Sequence, residues 1–286
     1  MTKMEVVARA SEEQQHTADG AAVCVDGDRV YVGAEDGKLK VYNHHTMELI
    51  QEVAAHEYSI TDLLLLGASL FSSSADTTVK VWDSATLTLR TTTQPHEEAV
   101  RKMATNGVHV FAGDDKGDVR LYDVDGRCSG THAMVEEVWA LHAQEDLLYS
   151  VRDRGITISR LSDTSNKSSV VASIEGRAPM VVSGDYLVYG DASGMSLVVR
   201  ENKTKGGKEL GMLTGHQMII TAVAKCGEGR AVSSGYDNTL KLWDLKGMKE
   251  LASCPLPGCA GALAVSEDGC IFATGSGGYV CKVKVG

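Results

Sequence analysis

Two sets of histidine, serine and aspartate residues are the first candidates for chemistry in this sequence. The sets share the order His, Ser, Asp and nearly the same spacing, and they are His56, Ser72, Asp76 and His216, Ser233, Asp237. These residue types perform nucleophilic catalysis when the serine is accessible and the histidine can take its proton. Each set is also followed by a tryptophan, whose N–H group needs an acceptor when it is buried. The elements that carry the residues must decide between a catalytic and a structural role.

The other motifs fall short of an enzymatic or metal site. The glycine-rich segment 275–278 lacks the lysine and the helix of a phosphate-binding loop. The acidic segment 114–118 departs from the spacing of a calcium-binding EF-hand and has no glutamate at the loop end. No Gly-x-Ser-x-Gly nucleophile elbow is present. We therefore expect a protein that is not an enzyme, with no catalytic residue, no bound metal and no cofactor.

The motifs belong to a repeat of about 40 residues that runs along the whole chain. Equivalent places in the repeat hold Asp36, Asp76, Lys116, Arg154, Gly194, Asp237 and Gly277. The clearest copies are 70–83 and 231–244, each a strand, a tight turn and a second strand ending in Trp-Asp. This period, combined with strands and turns, indicates the blade of a β-propeller. We predict an all-β fold, a seven-bladed β-propeller, with residues 1–286 forming a single domain.

The first repeat contains the four predicted strands of a blade, and the last repeat lacks one. The four strands are 21–25, 29–33, 39–42 and 47–53, and Asp-Gly turns between them are strong hairpin signals. The last repeat ends with its third strand, 280–285. Segment 6–15 precedes His16 as 47–55 precedes His56. We therefore expect residues 4–12, approximately, to complete the seventh blade and close the ring without an open edge.

On these repeats the sequence resembles the WD-repeat (WD40) β-propeller family along essentially its whole length. The resemblance implies a buried hydrogen-bond chain in each strong blade, from histidine through serine and aspartate to tryptophan. This structural network comprises His56, Ser72, Asp76 and Trp82 in blade 2, and His216, Ser233, Asp237 and Trp243 in blade 6. Because buried polar groups need partners and the hydroxyl lies within a packed blade, we interpret both sets as structural.

Other blades depart from this pattern. Blade 1 keeps His16, Asp36 and Tyr42 but has Val32 at the hydroxyl position. Blade 3 keeps His96 and Tyr122 but has Ala112 and Lys116 at the serine and aspartate positions. Blades 4 and 5 have Arg160 and Arg200 where the aromatic residue is expected. These departures predict softer blades or rewired contacts, and they leave the register of blades 4 and 5 open.

The family resemblance also implies a partner site on one face, around the mouth of the channel. The exposed positions lie three and five residues after each histidine and one before the turn aspartate. Carried over position by position, with Val138 aligned to Ile60 in blade 4 because that blade has no histidine, they give a partner-binding rim of Asp19, Glu35, Arg101, Asp115, Glu137, Trp139, Asp153 and Tyr236. Less distinctive positions of the same set are Ala21, Ser59, Thr61, Ala75, Ala99, Ile219 and Thr221. Carboxylates beside aromatic residues and an arginine suit an extended or helical segment that bears Lys or Arg. The alternative is that Trp139 packs into its blade and the acids are ordinary solvated turn residues.

Composition limits the kind of partner. A net charge of −10 disfavours a general nucleic-acid surface and favours a basic protein or peptide. No apolar run is long enough to insert in a membrane.

Seven cysteines without a Cys-x-x-Cys pair, and an N-terminus without a secretory signal, favour the cytoplasm, with the nucleus as an alternative. The basic insertion Lys203–Lys208 is either a solvated loop or an anion-binding element.

We expect a monomeric, non-catalytic scaffold or adaptor that binds partner proteins or peptides on the propeller face. Two alternatives stay open, a substrate receptor of a ubiquitin ligase and a reader of basic histone-like tails. Receptors in this family often carry Arg two residues after Trp-Asp, where this sequence has Ala85 and Lys246, which disfavours the first alternative. An RNA-associated scaffold would need contacts confined to the basic insertion, and no residue constellation supports a propeller enzyme.

Overall fold

The computed structural model describes residues 2–133, 137–162 and 167–286, and its strands form seven four-stranded antiparallel sheets. We number the sheets as blades in chain order and give the strands of each from the innermost to the outermost. Blade 1 contains β2 (Gly20–Asp26), β3 (Arg29–Ala34), β4 (Lys38–Asn43) and β5 (Leu49–Ala54). Blade 2 contains β6 (Ile60–Leu66), β7 (Ser69–Ser74), β8 (Val79–Asp83) and β9 (Leu89–Thr92). Blade 3 contains β10 (Val100–Thr105), β11 (Val110–Asp114), β12 (Asp118–Tyr122) and β13 (Cys128–Ala133).

The remaining blades follow the same order except at the end of the chain. Blade 4 contains β14 (Ala140–Gln144), β15 (Leu147–Arg152), β16 (Gly155–Leu161) and β17 (Ser168–Glu175). Blade 5 contains β18 (Arg177–Ser183), β19 (Tyr186–Gly190), β20 (Leu197–Glu201) and β21 (Glu209–Leu213). Blade 6 contains β22 (Ile220–Lys225), β23 (Arg230–Gly235), β24 (Thr239–Asp244) and β25 (Lys249–Pro255). Blade 7 contains β26 (Ala260–Val265), β27 (Ile271–Gly275), β28 (Val280–Val285) and, as its outer strand, β1 (Met4–Arg9).

The seven innermost strands form a closed ring. Each contacts the innermost strand of the next blade, from β2 through β6, β10, β14, β18, β22 and β26 back to β2. These strands surround a central channel with a cavity of about 310 Å³. The predicted all-β, seven-bladed propeller is confirmed. We call "upper" the face that carries the turns between second and third strands and the loops leading into each new blade.

The ring closes through the N-terminal strand, as predicted. Strand β1 pairs antiparallel with β28, so that Met4 lies opposite Val285 and Val6 opposite Val283. Beyond it the Ala10 N–H donates to the Val280 carbonyl at 3.0 Å. The strand is shorter than the predicted segment because a 3-10 turn begins at Glu12. The outer edge of β28 is therefore covered by the other end of the chain.

The apolar core lies between neighbouring blades. Between blades 5 and 6, for example, Val188, Leu197 and Val199 pack in one cluster with Ile220 and Trp243. The second strands β7 and β27 are buried at every residue because both of their faces contact a neighbouring blade. Such strands read as continuous runs of small and apolar residues rather than as alternating patterns. Among the described residues, no helix has the length and apolar character needed to cross a membrane.

In blade 4, the predicted placement of Arg160 at the aromatic position is wrong. In blade 2, Leu70 lies opposite Trp82, whereas the equivalent pair in blade 4 is Leu148 and Ser159. The turn between β15 and β16 holds only residues 153 and 154, one fewer than the turn 75–77 between the paired ends of blade 2. The aromatic position is therefore occupied by the buried Ser159.

Arg160 is the next residue along the strand, and its guanidinium forms an ion pair with Asp146 at 2.8 Å. In blade 5, Arg200 does occupy the aromatic position, opposite Leu187. The Arg200 Nε donates to the Tyr189 hydroxyl at 3.1 Å, and its Nη1 donates to the carbonyls of Gly206 and Gly207. The two arginines thus play different roles, because the shorter turn of blade 4 displaces Arg160 by one position.

Candidate functional site

Blades 2 and 6 each contain a continuous chain of hydrogen bonds between side chains. In blade 2 the His56 Nδ1 lies 2.8 Å from Asp76 and its Nε2 lies 2.7 Å from the Ser72 hydroxyl. The Trp82 indole N–H donates to the same hydroxyl at 2.9 Å. Blade 6 repeats this geometry with His216, Ser233, Asp237 and Trp243, at 2.9 Å, 2.8 Å and 2.8 Å.

The direction of these bonds follows from chemistry. An indole N–H only donates, so the serine oxygen accepts from it and the serine proton is directed to the histidine Nε2. The histidine proton then lies on Nδ1 and is donated to the carboxylate. Burial lowers the pKa of both His56 and His216, and their carboxylate partners offset this only in part, which favours the neutral ring.

The two serines are fully buried, which decides the chemistry of these sets. Ser72 and Ser233 have no exposed surface, and each hydroxyl is already engaged by a tryptophan and a histidine. A nucleophilic serine must instead reach a substrate carbonyl. The arrangement therefore satisfies buried polar groups and joins the strands of a blade.

Blade 3 has the same chain with different residues. His96 Nδ1 lies 2.9 Å from the buried carboxylate of Asp114, and the Tyr122 hydroxyl donates to His96 Nε2 at 3.0 Å. The acid expected at Lys116 is therefore not lost but supplied two residues earlier. Tyrosine reaches the histidine directly and makes a serine at Ala112 unnecessary. The sequence signal was present in the Asp-Asp pair 114–115, which resembled an ordinary acidic turn.

The upper face carries a cavity of about 610 Å³ over blades 1 to 4. We call it the upper-face cavity. Nine of its lining residues were predicted as rim positions, and they are Ala21, Glu35, Ser59, Thr61, Ala75, Arg101, Asp115, Glu137 and Trp139. Ile60 and Lys102 complete the lining. The carried-over positions of four successive blades thus meet in one depression.

Charged and aromatic groups define what the upper-face cavity can bind. The Trp139 indole N–H donates to the Glu137 carboxylate at 2.8 Å, and 41% of Trp139 is exposed. Arg101 donates its Nε–H to both oxygens of Asp115, at 2.7 Å and 2.9 Å, and this bond raises the pKa of the guanidinium. Among the described residues, Glu35 and Glu137 have no ion-pair partner. A cation entering the cavity would therefore meet two carboxylates that form no ion pair, beside an indole face, with the guanidinium of Arg101 close enough to Glu137 to attract it electrostatically.

Comparison with known proteins agrees with the fold and with the strongest repeats. A family model described as "WD domain, G-beta repeat" matches residues 47–83 and 207–244, and each match ends on a Trp-Asp pair. The crystal structure of the computationally designed Ika8 protein is similar to this chain, with a TM-score of 0.74 and 21% sequence identity. That similarity covers 97% of this chain and 99% of Ika8, and it concerns the fold alone. The chain is a seven-bladed β-propeller, and two of its repeats match the WD-repeat family.

No curated protein matches the chain, so no relative suggests a specific role. WD-repeat propellers are in general protein-interaction scaffolds and are typically non-catalytic. In this propeller, no group of three or more His, Cys, Asp or Glu side chains within residues 2–133, 137–162 and 167–286 is placed to hold a metal ion.

Of the eight charged and aromatic rim residues predicted from the sequence, three lie outside the upper-face cavity. Asp19 is exposed, and its carboxylate accepts from the Gly277 N–H of blade 7 at 2.8 Å. Asp153 is an exposed residue in the short turn of blade 4. Tyr236, 56% exposed, occupies the corresponding turn of blade 6. The rim is thus divided between the cavity and separate positions on the same face.

The sequence analysis did not identify two large exposed side chains or a lysine that lines the channel. Tyr58 and Met218 lie two positions after the histidines of blades 2 and 6, and they are 63% and 51% exposed. Extending the positional rule to that place would have found both. Lys102 lines the upper-face cavity and the channel, with its ammonium 3.7 Å from Asp62. The packing of blade 2 against blade 3 brings Lys102 and Asp62 together, since they lie on the innermost strands of these two blades.

The basic insertion 203–208 is held to the body of the propeller. Arg200 binds the carbonyls of Gly206 and Gly207, and Lys203 forms an ion pair with Glu201 at 2.8 Å. A side chain at Gly206 would touch Ala172 and Ile174, so the loop packs on the outer strand of blade 4. Lys203 is therefore already paired, while Lys205 and Lys208 are exposed.

Proposed function

We propose that this WD-repeat propeller is a non-catalytic scaffold whose upper-face cavity binds a basic segment of a partner protein. The observation that carries the proposal is the convergence of Glu35, Glu137 and Trp139 in one depression of about 610 Å³. Ligand sites in proteins are concave and contain a few convergent polar groups, and an exposed tryptophan is a frequent anchor of binding.

Electrostatics favour a cationic ligand. Asp115 is occupied by Arg101, which leaves Glu35 and Glu137 to accept from a lysine or arginine of the partner. The indole of Trp139 offers a face for the same cation. The net charge of −10 adds a long-range attraction that raises the association rate of basic ligands.

A reader of basic histone-like tails is a special case of this proposal, and the charge of the cavity supports it equally. Such a tail is an extended segment with several Lys or Arg residues. The ubiquitin-ligase receptor has no comparable support, because Ala85 and Lys246 stand where an arginine would be expected.

Binding of synthetic peptides to the wild-type chain and to three variants tests the proposal. The probe is an unstructured Gly-Ser peptide with a Lys-Arg pair, and the reference peptide has Ser at both positions. We expect Glu137→Gln and Trp139→Ala each to weaken binding of the basic peptide about tenfold, which corresponds to about 1.4 kcal/mol. Glu228→Gln, an exposed carboxylate on the opposite face, is the matched control and should leave affinity unchanged.

Thermal unfolding of each variant separates binding from folding. All three side chains are exposed, so the melting temperatures should stay near that of the wild-type chain. Equal binding of the basic and the neutral peptide would contradict the proposal. So would full affinity for the basic peptide in Glu137→Gln.

A further inference from the structure

An exposed apolar patch lies on the upper face, over blades 5 and 6 and away from the carboxylates. We call it the apolar patch, and its members are Met195, Met218, Ile219 and Tyr236, each between 43% and 56% exposed. Single exposed apolar residues are common on protein surfaces, whereas a group of large ones on neighbouring turns is typical of interaction sites.

Backbone contacts show that the apolar patch is contiguous. The Ile220 N–H donates to the Gly194 carbonyl at 2.7 Å, which joins the turn of blade 5 to the loop entering blade 6. The Tyr236 N–H donates to the Ile219 carbonyl at 2.9 Å, which joins that loop to the turn of blade 6. A Cβ atom built at Gly194 would lie 3.4 Å from the Ile219 side chain. Ile219 therefore lies between the two turns that carry Met195 and Tyr236.

The channel mouth connects the apolar patch to the upper-face cavity. Trp139 and Lys102 line both the cavity and the channel. On the other side of the channel, Ile220 and Thr221 belong to its lining and directly follow Ile219. One ligand can thus contact the carboxylates, cross the mouth and reach the apolar patch without leaving the upper face.

Charge distinguishes the two ends of this path. The cavity presents Glu35 and Glu137, whereas Arg177 lies beside the patch, with its Nη1 3.6 Å from a Cβ built at Gly194. A second basic residue of a ligand would be repelled by Arg177, while an apolar side chain would cover the patch and remove it from water. The face is therefore complementary to a segment that is basic at one end and apolar at the other.

We propose that the partner segment is bipartite, with a Lys or Arg in the upper-face cavity and a large apolar side chain on the apolar patch. This inference rests on the proposed function, because the cavity must hold the basic end. The segment crosses the channel mouth in an extended conformation. A uniformly basic segment would use only half of the surface, so the patch selects among basic partners.

A peptide series tests the bipartite segment. Each probe is a Gly-Ser peptide with a Lys-Arg pair and one leucine, and the leucine is moved from about 3 to about 8 residues away, which spans about 10 to 26 Å at about 3.3 Å per residue. Basic-only and leucine-only peptides complete the series. At the best spacing, the leucine should tighten binding about tenfold over the basic-only peptide.

Variants assign the gain to the apolar patch. Ile219→Ser and Met218→Ser should remove the gain from leucine and leave the basic-only peptide unaffected. Val108→Ser, an exposed apolar residue on the opposite face, is the matched control and should change neither. Glu137→Gln should weaken binding of the basic-only peptide and of the peptide with leucine by the same factor, since it acts only at the basic end.

The outcomes separate this inference from the proposed function. Basic-only binding that Glu137→Gln weakens, with no gain from leucine at any spacing, would overturn the bipartite segment and leave the proposed function standing. A gain that survives Ile219→Ser would overturn it as well. Self-association of the wild-type chain in sedimentation, lost in Ile219→Ser, would assign the patch to a second copy. Failure of Glu137→Gln to affect either peptide would refute the proposed function itself.

Discussion

At the scale of single residues, the same buried histidine is satisfied differently from blade to blade. Its Nε2 accepts from serine in blades 2 and 6 and from Tyr122 in blade 3. In blade 1 the His16 Nδ1 lies 3.1 Å from Asp36, but its buried Nε2 has no partner among the described residues. Tyr42 cannot supply one because its hydroxyl donates to the Gln14 carbonyl at 2.7 Å. An unpaired buried polar atom costs about 1–3 kcal/mol. A hydrogen-bond partner for His16 Nε2 should therefore raise the free energy of unfolding.

Restoring the missing hydroxyl should stabilise the propeller. Val32 lies opposite Lys40, as Ser72 lies opposite Lys80, so it occupies the serine position of blade 1. Threonine has nearly the shape of valine, and its hydroxyl can donate to His16 Nε2. We expect Val32→Thr to raise the free energy of unfolding by about 1 kcal/mol. Urea denaturation at neutral pH measures the change.

The control for this substitution lies two residues earlier on the same strand. Val30 is fully buried in an apolar cluster with Phe272 and Val280. Val30→Thr introduces the same hydroxyl without an open acceptor and should destabilise by about 1–3 kcal/mol. Equal destabilisation by the two variants would mean that His16 Nε2 is not the acceptor in blade 1.

At the scale of elements, the tight turns of the blades demand a left-handed backbone at one place. That place holds Gly37, Gly117, Asn238 and Gly278, with φ between 56° and 95°. Thr77 occupies it in blade 2 with φ 71°. A β-branched residue is strained in this region, whereas asparagine and glycine enter it readily. Blade 2 therefore combines a complete polar chain with a turn that costs free energy.

Exchanging the turn residues of blades 2 and 6 tests this cost. We expect Thr77→Asn to stabilise the protein by about 1 kcal/mol and the reciprocal Asn238→Thr to destabilise it by a similar amount. Both side chains are at least partly exposed, so little packing changes. Denaturant titrations of both variants give the two values, and changes of the same sign would show that φ is not the cause.

The elements also show what the sequence could and could not predict. The strands of blade 1 begin and end within two residues of the predicted bounds, because Asp-Gly turns are local signals. Arg160 was misplaced because a turn shortened by one residue leaves the repeat length almost unchanged and shifts only the pairing. Such a shift depends on contacts between strands, which residue types alone do not specify.

The candidate site, too, could be predicted from the sequence only in part. Blade 4 has no histidine to count from, and the alignment of Val138 with Ile60 placed Glu137 and Trp139 on the upper face, since repeats transfer position by position. Their hydrogen bond and the pairing of Arg101 with Asp115 depend on side-chain conformation and on the curvature of the ring. Separation of the cavity from the apolar patch likewise follows from the arrangement of blades around the channel.

At the scale of the whole molecule, one strand makes the two ends of the chain interdependent. Strand β1 supplies the outer edge of blade 7, and Met4 is buried in a cluster with Val283 and with Leu240 of blade 6. Without β1 the edge of β28 would expose unpaired backbone groups and could template aggregation. The stability of every blade therefore includes the closure of the ring.

Supplying this strand as a separate peptide tests closure directly. A chain that begins at residue 11 should melt at a lower temperature than the intact chain and should associate through the open edge of β28. A synthetic peptide of residues 2–10 should bind that edge, because it restores the ladder opposite 280–285. At about 100 times its Kd, the peptide should return about 2.7 kcal/mol of stability.

The same peptide with Met4→Asp is the matched control, since it keeps the backbone and loses the buried side chain. Restoration of the melting temperature by the native peptide alone supports closure by β1, whereas an unchanged melting temperature of the shortened chain would show that the ring does not depend on it.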